Sequence, residues 1–221
     1  MTRSAATAEK HAVPGPAGAI ETLVEAPSPA PRALAVVCHP HPLHGGSMTN
    51  KVAYTLARAF QRSGAVAVRF NFRGVGESAG TYADGEGERE DAAAVVRWAR
   101  AMHPGLPLYL GGFSFGAGIA ANIAAALDSA LLVTVALPVG RLVDGVAPPG
   151  CPWLIVHGSE DELVPLDELR AWRERHAADA CLAVLEGATH FFHGRLTELS
   201  SRIESFVEEA VGPSAAERLP G

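Results

Sequence analysis

The sequence predicts one α/β domain with a mostly parallel central sheet and helices on both of its faces. Three observations support this fold class. Apolar runs of strand length alternate with amphipathic runs of helical length, the connections between them are short, and the strand runs are almost continuously hydrophobic. Such strands are typical of a parallel sheet that helices cover on both sides. The 221 residues, 48% of them hydrophobic, suit a single domain.

The predicted elements follow one another in a regular order along the chain. We predict strands at residues 33–38, 65–72, 106–110, 130–137, 153–156 and 181–185. We predict helices at residues 47–63, 88–103, 115–127, 166–178 and 193–211. One face of the last helix is apolar, as expected of a helix that packs on a sheet, and carries Leu196, Leu199, Ile203, Phe206 and Val207. The alternation implies right-handed crossovers between parallel strands.

Three further segments define the limits of the domain. Residues 1–18 and 212–221 are rich in small residues and proline without a repeat, so we expect disordered tails around a domain at residues 19–211. Residues 138–150 are barely long enough for a parallel crossover, so a helix there should be short or absent. This shortness also leaves little room for a lid domain, and we predict none.

Composition and charge exclude several classes of function. The net charge is -6 and the basic residues are scattered, which indicates neither nucleic-acid binding nor a membrane anchor. The N-terminus lacks a hydrophobic signal core, and no window is apolar enough to cross a bilayer, so we expect a cytoplasmic protein. Cys38, Cys151 and Cys181 lack metal-ligand spacing and should be reduced, mostly buried thiols. Small neutral or weakly charged molecules are the expected partners, and a homodimer is compatible with the sequence.

The segment Gly112-Phe113-Ser114-Phe115-Gly116 is the strongest chemical signal in the chain. It has the pattern G-x-S-x-G, and it lies between a predicted strand and a predicted helix. The turn is so tight that the serine adopts a strained backbone conformation, and the flanking glycines allow strand and helix to approach closely. A serine hydroxyl is a poor nucleophile near neutral pH, so this interpretation requires a base and an orienting acid.

Two loops after later strands supply the base and the acid. Because ligands bind beyond the carboxyl ends of parallel strands, polar residues at those ends are the natural candidates. We predict that Asp161 accepts the Nδ1 proton of His190, whose Nε2 takes the proton of Ser114. Glu160 is the alternative acid and His193 the alternative base. A base in a loop can reach the serine, whereas one already in the following helix points along that helix.

Catalysis also requires donors for the oxyanion of a tetrahedral intermediate. Removing one such donor typically costs about 3 kcal/mol of transition-state stabilisation. The backbone amide of Phe115 follows the nucleophile at the start of a helix and is the first predicted donor. The second should come from the loop after the first predicted strand, where we predict the amide of His41, with Leu43 as the alternative. Pro40 and Pro42 have no N–H to donate.

Three apolar side chains are candidates for substrate binding. Leu43 lies in the loop that should carry the second oxyanion donor. Phe191 and Phe192 follow the predicted base directly and could form a wall of the acyl pocket. Packing in the hydrophobic core is an alternative at least as strong for these two phenylalanines.

The histidines of the first loop raise the alternative of a metal site. His39, His41 and His44 form the pattern H-x-H-x-x-H, which resembles metal-ligand spacing and would suit a zinc hydrolase. Catalytic zinc usually needs a further ligand, and the intervening prolines make it difficult for the side chains to converge. We therefore predict one structural histidine and a backbone-donating loop, with no metal and no cofactor.

Two charged segments have structural interpretations. The segment Arg73 to Ser78 has too few glycines for a dinucleotide fingerprint, and we expect Arg73 to brace neighbouring loops. The acidic run from Asp84 to Asp91 could suggest cation binding. Acidic residues are favoured at a helix N-terminus by the helix dipole, and we prefer that interpretation.

Taken together, the ordered motifs resemble the α/β-hydrolase superfamily. The resemblance covers about residues 19–211 and rests on four segments: the Ser114 turn, Asn71 to Ser78, Gly158 to Asp161, and Gly187 to His190. Within this superfamily, the chain resembles a small lidless bacterial subgroup related to dienelactone hydrolases and esterases. This closer resemblance rests on the segments His39-Pro-His-Pro and Gly45 to Val52. The Ser114 turn, called the nucleophile elbow in this superfamily, carries serine where dienelactone hydrolases carry cysteine. The loop after the first predicted strand begins His-Pro, whereas the usual pattern of the superfamily is His-Gly.

The resemblance implies a cofactor-independent serine hydrolase that cleaves carboxylic esters through an acyl-enzyme on Ser114. Without a lid, the site should favour short or sterically accessible acyl groups. A thioesterase or a small-peptide hydrolase could use the same residues. A binding module that retains the fold without catalysis is the alternative from another class, since fold alone never establishes activity.

Overall fold

An eight-stranded sheet organises the molecule, and its strand order is β1-β2-β4-β3-β5-β6-β7-β8. The computed structural model describes residues 8–27, 30–140 and 142–211. The strands are Ala8–Gly15 (β1), Gly18–Glu25 (β2), Ala33–Cys38 (β3), Ala65–Phe70 (β4), Leu108–Phe113 (β5), Leu131–Val135 (β6), Trp153–Gly158 (β7) and Cys181–Leu185 (β8). The strands from β3 onward pair in parallel, whereas β2 pairs antiparallel with both β1 and β4.

Helices cover both faces of this sheet. They are Lys51–Arg62 (α1), Glu86–Met102 (α2), Phe115–Ala124 (α3), Leu166–His176 (α4) and Leu196–Val211 (α5), and a short 3-10 helix spans Pro42–His44. One hydrophobic cluster joins the sheet to α2, α3 and α4, and the other joins it to α1 and α5. Along β3, Leu34 and Val36 belong to the first cluster while Ala35 and Val37 belong to the second. The predicted α/β fold class is therefore confirmed.

The first two strands correct the sequence prediction of a disordered tail over residues 1–18. Residues 8–15 form β1, which pairs with β2 along its whole length, and Val13 lies opposite Ile20 in that pairing. Both side chains are buried. The strands escaped prediction because an antiparallel pair at a sheet edge buries only part of its surface, so polar residues interrupt the apolar pattern. Residues 1–7 and the predicted tail at 212–221 lie outside the described residues.

The segment between β6 and β7 contains turns and no helix in its described residues. This agrees with the expectation of a short or absent helix over residues 138–150. The connection therefore crosses the sheet without an inserted lid domain, and the carboxyl end of the sheet remains accessible. Nowhere in the described ranges is a helix both long enough and apolar enough to span a membrane.

Because β1 belongs to the folded domain, its buried side chain, Val13, should contribute to stability. We expect Val13→Ala to lower the free energy of unfolding by about 2 kcal/mol, because buried carbon atoms are lost and a cavity is left. Glu9→Ala alters an exposed side chain of the same strand and should change stability by less than about 0.5 kcal/mol. Urea denaturation of both variants tests this. Equal stability of the two would restore the interpretation as a dispensable tail.

Candidate active site

The three predicted side chains of the site come together at the carboxyl end of the sheet. Ser114, Asp161 and His190 follow β5, β7 and β8, three of the parallel strands. The Oγ of Ser114 lies 3.0 Å from Nε2 of His190. The Nδ1 of His190 lies 2.8 Å and 3.0 Å from the two carboxylate oxygens of Asp161. The alternatives, Glu160 and His193, are exposed and have no part in this chain of hydrogen bonds.

The serine sits on a turn that only glycine-flanked backbone can form. Ser114 has φ 53° and ψ -121°, in the region that non-glycine residues avoid. A Cβ added to Gly112 would lie 2.1 Å from the carbonyl oxygen of Gly116. A Cβ added to Gly116 would lie 2.3 Å from the carbonyl oxygen of Cys38 and 2.4 Å from that of His39. Both glycines are therefore required for the close approach of β5, α3 and the end of β3.

The carboxylate of Asp161 is buried and accepts several hydrogen bonds. Its Oδ1 accepts hydrogen bonds of 2.9 Å from the amides of Leu163 and Val164. Burial would raise the pKa of Asp161, but the hydrogen bonds from His190 and these two amides outweigh it and hold the pKa below its ordinary value. Asp161 is therefore ionised and can accept the Nδ1 proton of His190.

Behind the acid, the buried His157 closes the same turn. Its Nε2 lies 2.8 Å from the carbonyl oxygen of Val164 and donates to it. Burial lowers the pKa of His157, so the ring is neutral at physiological pH. In the sequence, His157 directly follows the predicted strand at residues 153–156, and nothing there signals this hydrogen bond, because the bond depends on how the turn folds back.

The two predicted oxyanion donors, the backbone N–H groups of Phe115 and His41, are free of protein acceptors in the described residues. Phe115 is the first residue of α3, and its ring lies 5.0 Å from that of His41. The amide of Leu43, the alternative donor, instead points at Nδ1 of His41, 3.3 Å away. The geometry thus favours His41 over Leu43 as the second donor.

The three histidines of the first loop lie in different environments. His39 is buried, with Nδ1 donating to the carbonyl oxygen of Pro40 at 2.6 Å and Nε2 accepting from the amide of Phe72 at 3.0 Å. Burial lowers its pKa to about 4. His41 lies 3.2 Å from the hydroxyl of Tyr82 and stacks on His44. In the part of the chain that the structure describes, no cluster of three or more potential ligands could hold a metal ion.

The predicted substrate-binding residues divide into exposed and buried ones. Leu43 is 68% exposed and Phe191 is 42% exposed, and the ring of Phe191 lies 5.2 Å from that of His190. Phe192 is fully buried in the cluster with α5, so its prediction as a pocket wall is wrong. Its φ of 53° directs the chain so that Phe191 and Phe192 point to different environments, which the sequence does not reveal.

A cleft of about 750 Å³ opens beside the first residue of α3. Its lining combines aromatic rings with acidic and basic groups. The lining includes His41, Tyr82, Phe115, Asp84, Glu86 and Arg89. Sequence reasoning did not identify this cleft, because its wall comes from a long irregular segment between β4 and α2.

The charged segments behave largely as their structural interpretations predicted. Arg73 forms a two-pronged ion pair with Asp91, which ties the loop after β4 to α2. The carboxylate of Glu88 accepts hydrogen bonds from the backbone amides of Ala83 and Gly85, just before the start of α2. These contacts hold one wall of the cleft in place.

Comparison with known proteins places this geometry in a family. Residues 29–137 match a family model described as serine aminopeptidase, S33. The chain is 34% identical over 206 residues to the uncharacterized protein RP471 of Rickettsia prowazekii, covering 87% of this chain and 86% of that protein.

Two solved structures are similar along nearly their whole length. An α/β serine hydrolase homologue from Coxiella burnetii is 42% identical, with a TM-score of 0.86 and coverage of 89% of this chain and 96% of that one. A lidless α/β serine hydrolase from Xanthomonas campestris is 38% identical, with a TM-score of 0.86 and coverage of 92% and 94%. The chain therefore belongs to the α/β serine hydrolases that lack a lid.

Proposed function

We propose that this protein is a serine hydrolase that cleaves carboxylic ester bonds of small, accessible substrates through an acyl-enzyme on Ser114. The observation that carries the proposal is the distance of 3.0 Å between Ser114 Oγ and His190 Nε2. Asp161 completes the chain by holding the opposite nitrogen of the same ring. A nucleophile, a base and an orienting acid in this arrangement are the requirements of acyl transfer.

In the first half of the reaction, Nε2 of His190 takes the hydroxyl proton as Ser114 Oγ attacks the carbonyl carbon of the ester. The carbonyl oxygen then carries the negative charge of a tetrahedral intermediate. The free N–H groups of Phe115 and His41 are the proposed donors to this oxygen. Asp161 remains ionised and stabilises the imidazolium that forms.

In the second half, His190 passes its proton to the leaving alkoxide oxygen as the carbon–oxygen bond breaks, leaving the acyl group on Ser114. Water then attacks this ester while His190 accepts a proton from the water. Collapse of the second tetrahedral intermediate returns the proton to Ser114 Oγ and releases a carboxylic acid. Apart from the ester and this water, the proposed cycle uses side chains and backbone amides of this chain.

The surroundings of the site support small substrates. The rings of Tyr82 and Phe115 line the cleft, and Phe191 presents exposed apolar surface against the ring of His190. These features suit a compact acyl or alcohol group, and the absence of a lid leaves it accessible. We expect a small-molecule ester or thioester as the partner and a cytoplasmic location, without nucleic acid or membrane.

Hydrolysis of a small peptide is the second candidate. It is favoured by the description of the matching family model, a serine aminopeptidase. The same side chains would serve, because His190 can protonate a leaving amine as well as an alkoxide. A panel of p-nitrophenyl esters, acyl thioesters and aminoacyl p-nitroanilides separates the substrate classes by their kcat/KM values.

A fluorophosphonate probe tests the proposed nucleophile. We expect rapid stoichiometric labelling of Ser114 in the wild-type protein, none in Ser114→Ala, and labelling slowed by at least about 1,000-fold in His190→Ala, because the base is lost. Intact mass and peptide mapping measure the extent and the place of labelling. A folded wild-type protein that is not labelled would contradict the proposal and favour a binding module.

Replacing His41 by proline tests the second oxyanion donor. His41 has φ -52°, which proline can adopt, so the substitution removes the N–H with little change of backbone. We expect His41→Pro to reduce kcat by about 100-fold relative to His41→Ala, which keeps the N–H but also lacks the imidazole. Steady-state hydrolysis of p-nitrophenyl acetate gives the comparison. Equal kcat values in the two folded variants would remove His41 from this role.

A further inference from the structure

The loops that carry Asp161 and His190 are joined by a row of hydrogen bonds. The amide of Ser159 donates to the carbonyl oxygen of Leu185 at 3.0 Å, and the amide of Glu160 donates to that of Ala188 at 2.9 Å. The amide of Gly187 donates to Ser159 Oγ at 2.8 Å. These contacts fix the base of the histidine loop, but none of them reaches the histidine itself.

Glu162 provides the contact that reaches His190. Its Oε2 accepts a hydrogen bond of 3.1 Å from the backbone N–H of His190. Among the described residues, no other hydrogen bond involves the main chain of His190. Both ends of this histidine are therefore held by consecutive residues of one loop, the ring by Asp161 and the backbone by Glu162.

Neither burial nor a salt bridge explains the placement of Glu162. The residue is exposed, and its carboxylate forms no ion pair within the described ranges. Its neighbour Glu160 has the same charge and is also exposed, but its side chain makes no hydrogen bond in that part of the chain. Of these three consecutive acids, Asp161 is buried against the His190 ring, and of the two exposed ones only Glu162 accepts from the His190 backbone in the described residues.

We propose that Glu162 is a positioning residue, which holds the His190 backbone so that Nε2 stays within reach of Ser114 Oγ. This inference rests on the proposed hydrolase function. A hydrogen bond from an amide to a carboxylate is charge-assisted and stronger than one between neutral groups. Such control matters because a displacement of about 1 Å at a reacting group can reduce the rate by about 100-fold.

Three variants test this role, with Glu160→Ala as the matched control. Glu162→Ala should lower kcat by about tenfold and leave KM within about twofold, because base placement changes while substrate binding does not. Glu162→Gln keeps an acceptor oxygen at the same reach and should recover most of the kcat. Glu160→Ala removes an equal charge from the same loop and should behave as the wild type does.

Hydrogen exchange of the His190 backbone amide provides a readout that does not depend on activity. We expect slow exchange in the wild type and in Glu162→Gln, and faster exchange in Glu162→Ala. Rapid exchange in the wild type would already overturn the proposal. A wild-type kcat in Glu162→Ala, or a kcat in Glu162→Gln as low as that of Glu162→Ala, would also overturn it.

Failure of this inference can be distinguished from failure of the hydrolase proposal. If the wild type is labelled at Ser114 and hydrolyses esters while Glu162→Ala does so equally well, only the positioning role fails. If neither labelling nor turnover occurs in the wild type, the hydrolase proposal fails. The exchange experiment then still tests whether the Glu162 contact exists.

Discussion

The approach of the α3 backbone to the end of β3 determines how the rest of the site is arranged. Gly116 lies so close to the carbonyl oxygens of Cys38 and His39 that no side chain fits between them. This approach places the free amide of Phe115 beside the loop that carries His41. It also forces Ser114 into a backbone conformation that costs about 1–3 kcal/mol, which the packed strand and helix must maintain. The hydroxyl is then directed towards His190.

The electrostatics of the site depend on which groups are buried with partners. Asp161 is buried and stays charged because several donors converge on it, whereas His39 and His157 are buried and stay neutral because burial disfavours their charged forms. The Nε2 of His39, which follows β3, accepts from the amide of Phe72 just after β4, and its Nδ1 donates to the carbonyl oxygen of the neighbouring Pro40. His190 can thus serve as a base at this end of the sheet, while His39 and His157 maintain the loops around it.

The parallel strands, the elbow and the proposed acid and base could be predicted because each leaves a local pattern. A doubly covered strand is continuously apolar, and a tight strand-to-helix turn needs glycine at fixed spacing. The edge strand β1 was missed because it buries few side chains and the polar residues between them leave no clear apolar pattern in the sequence. Phe192 was assigned to the pocket, although its side chain enters the core, because the direction of a loop residue depends on backbone angles that the sequence does not specify. The contact of Glu162 with His190 joins two loops 28 residues apart and has no local signature.

The most direct test of the account is a crystal structure of the protein after reaction with a small fluorophosphonate, whose tetrahedral phosphorus resembles the acyl-transfer intermediate. We predict a covalent bond from phosphorus to Ser114 Oγ, with one phosphoryl oxygen accepting hydrogen bonds from the amides of both Phe115 and His41. His190 Nε2 should lie within hydrogen-bond distance of the adduct, with Asp161 still holding Nδ1. A phosphorus atom bonded elsewhere, or a phosphoryl oxygen that faces solvent with both amides unused, would contradict the account.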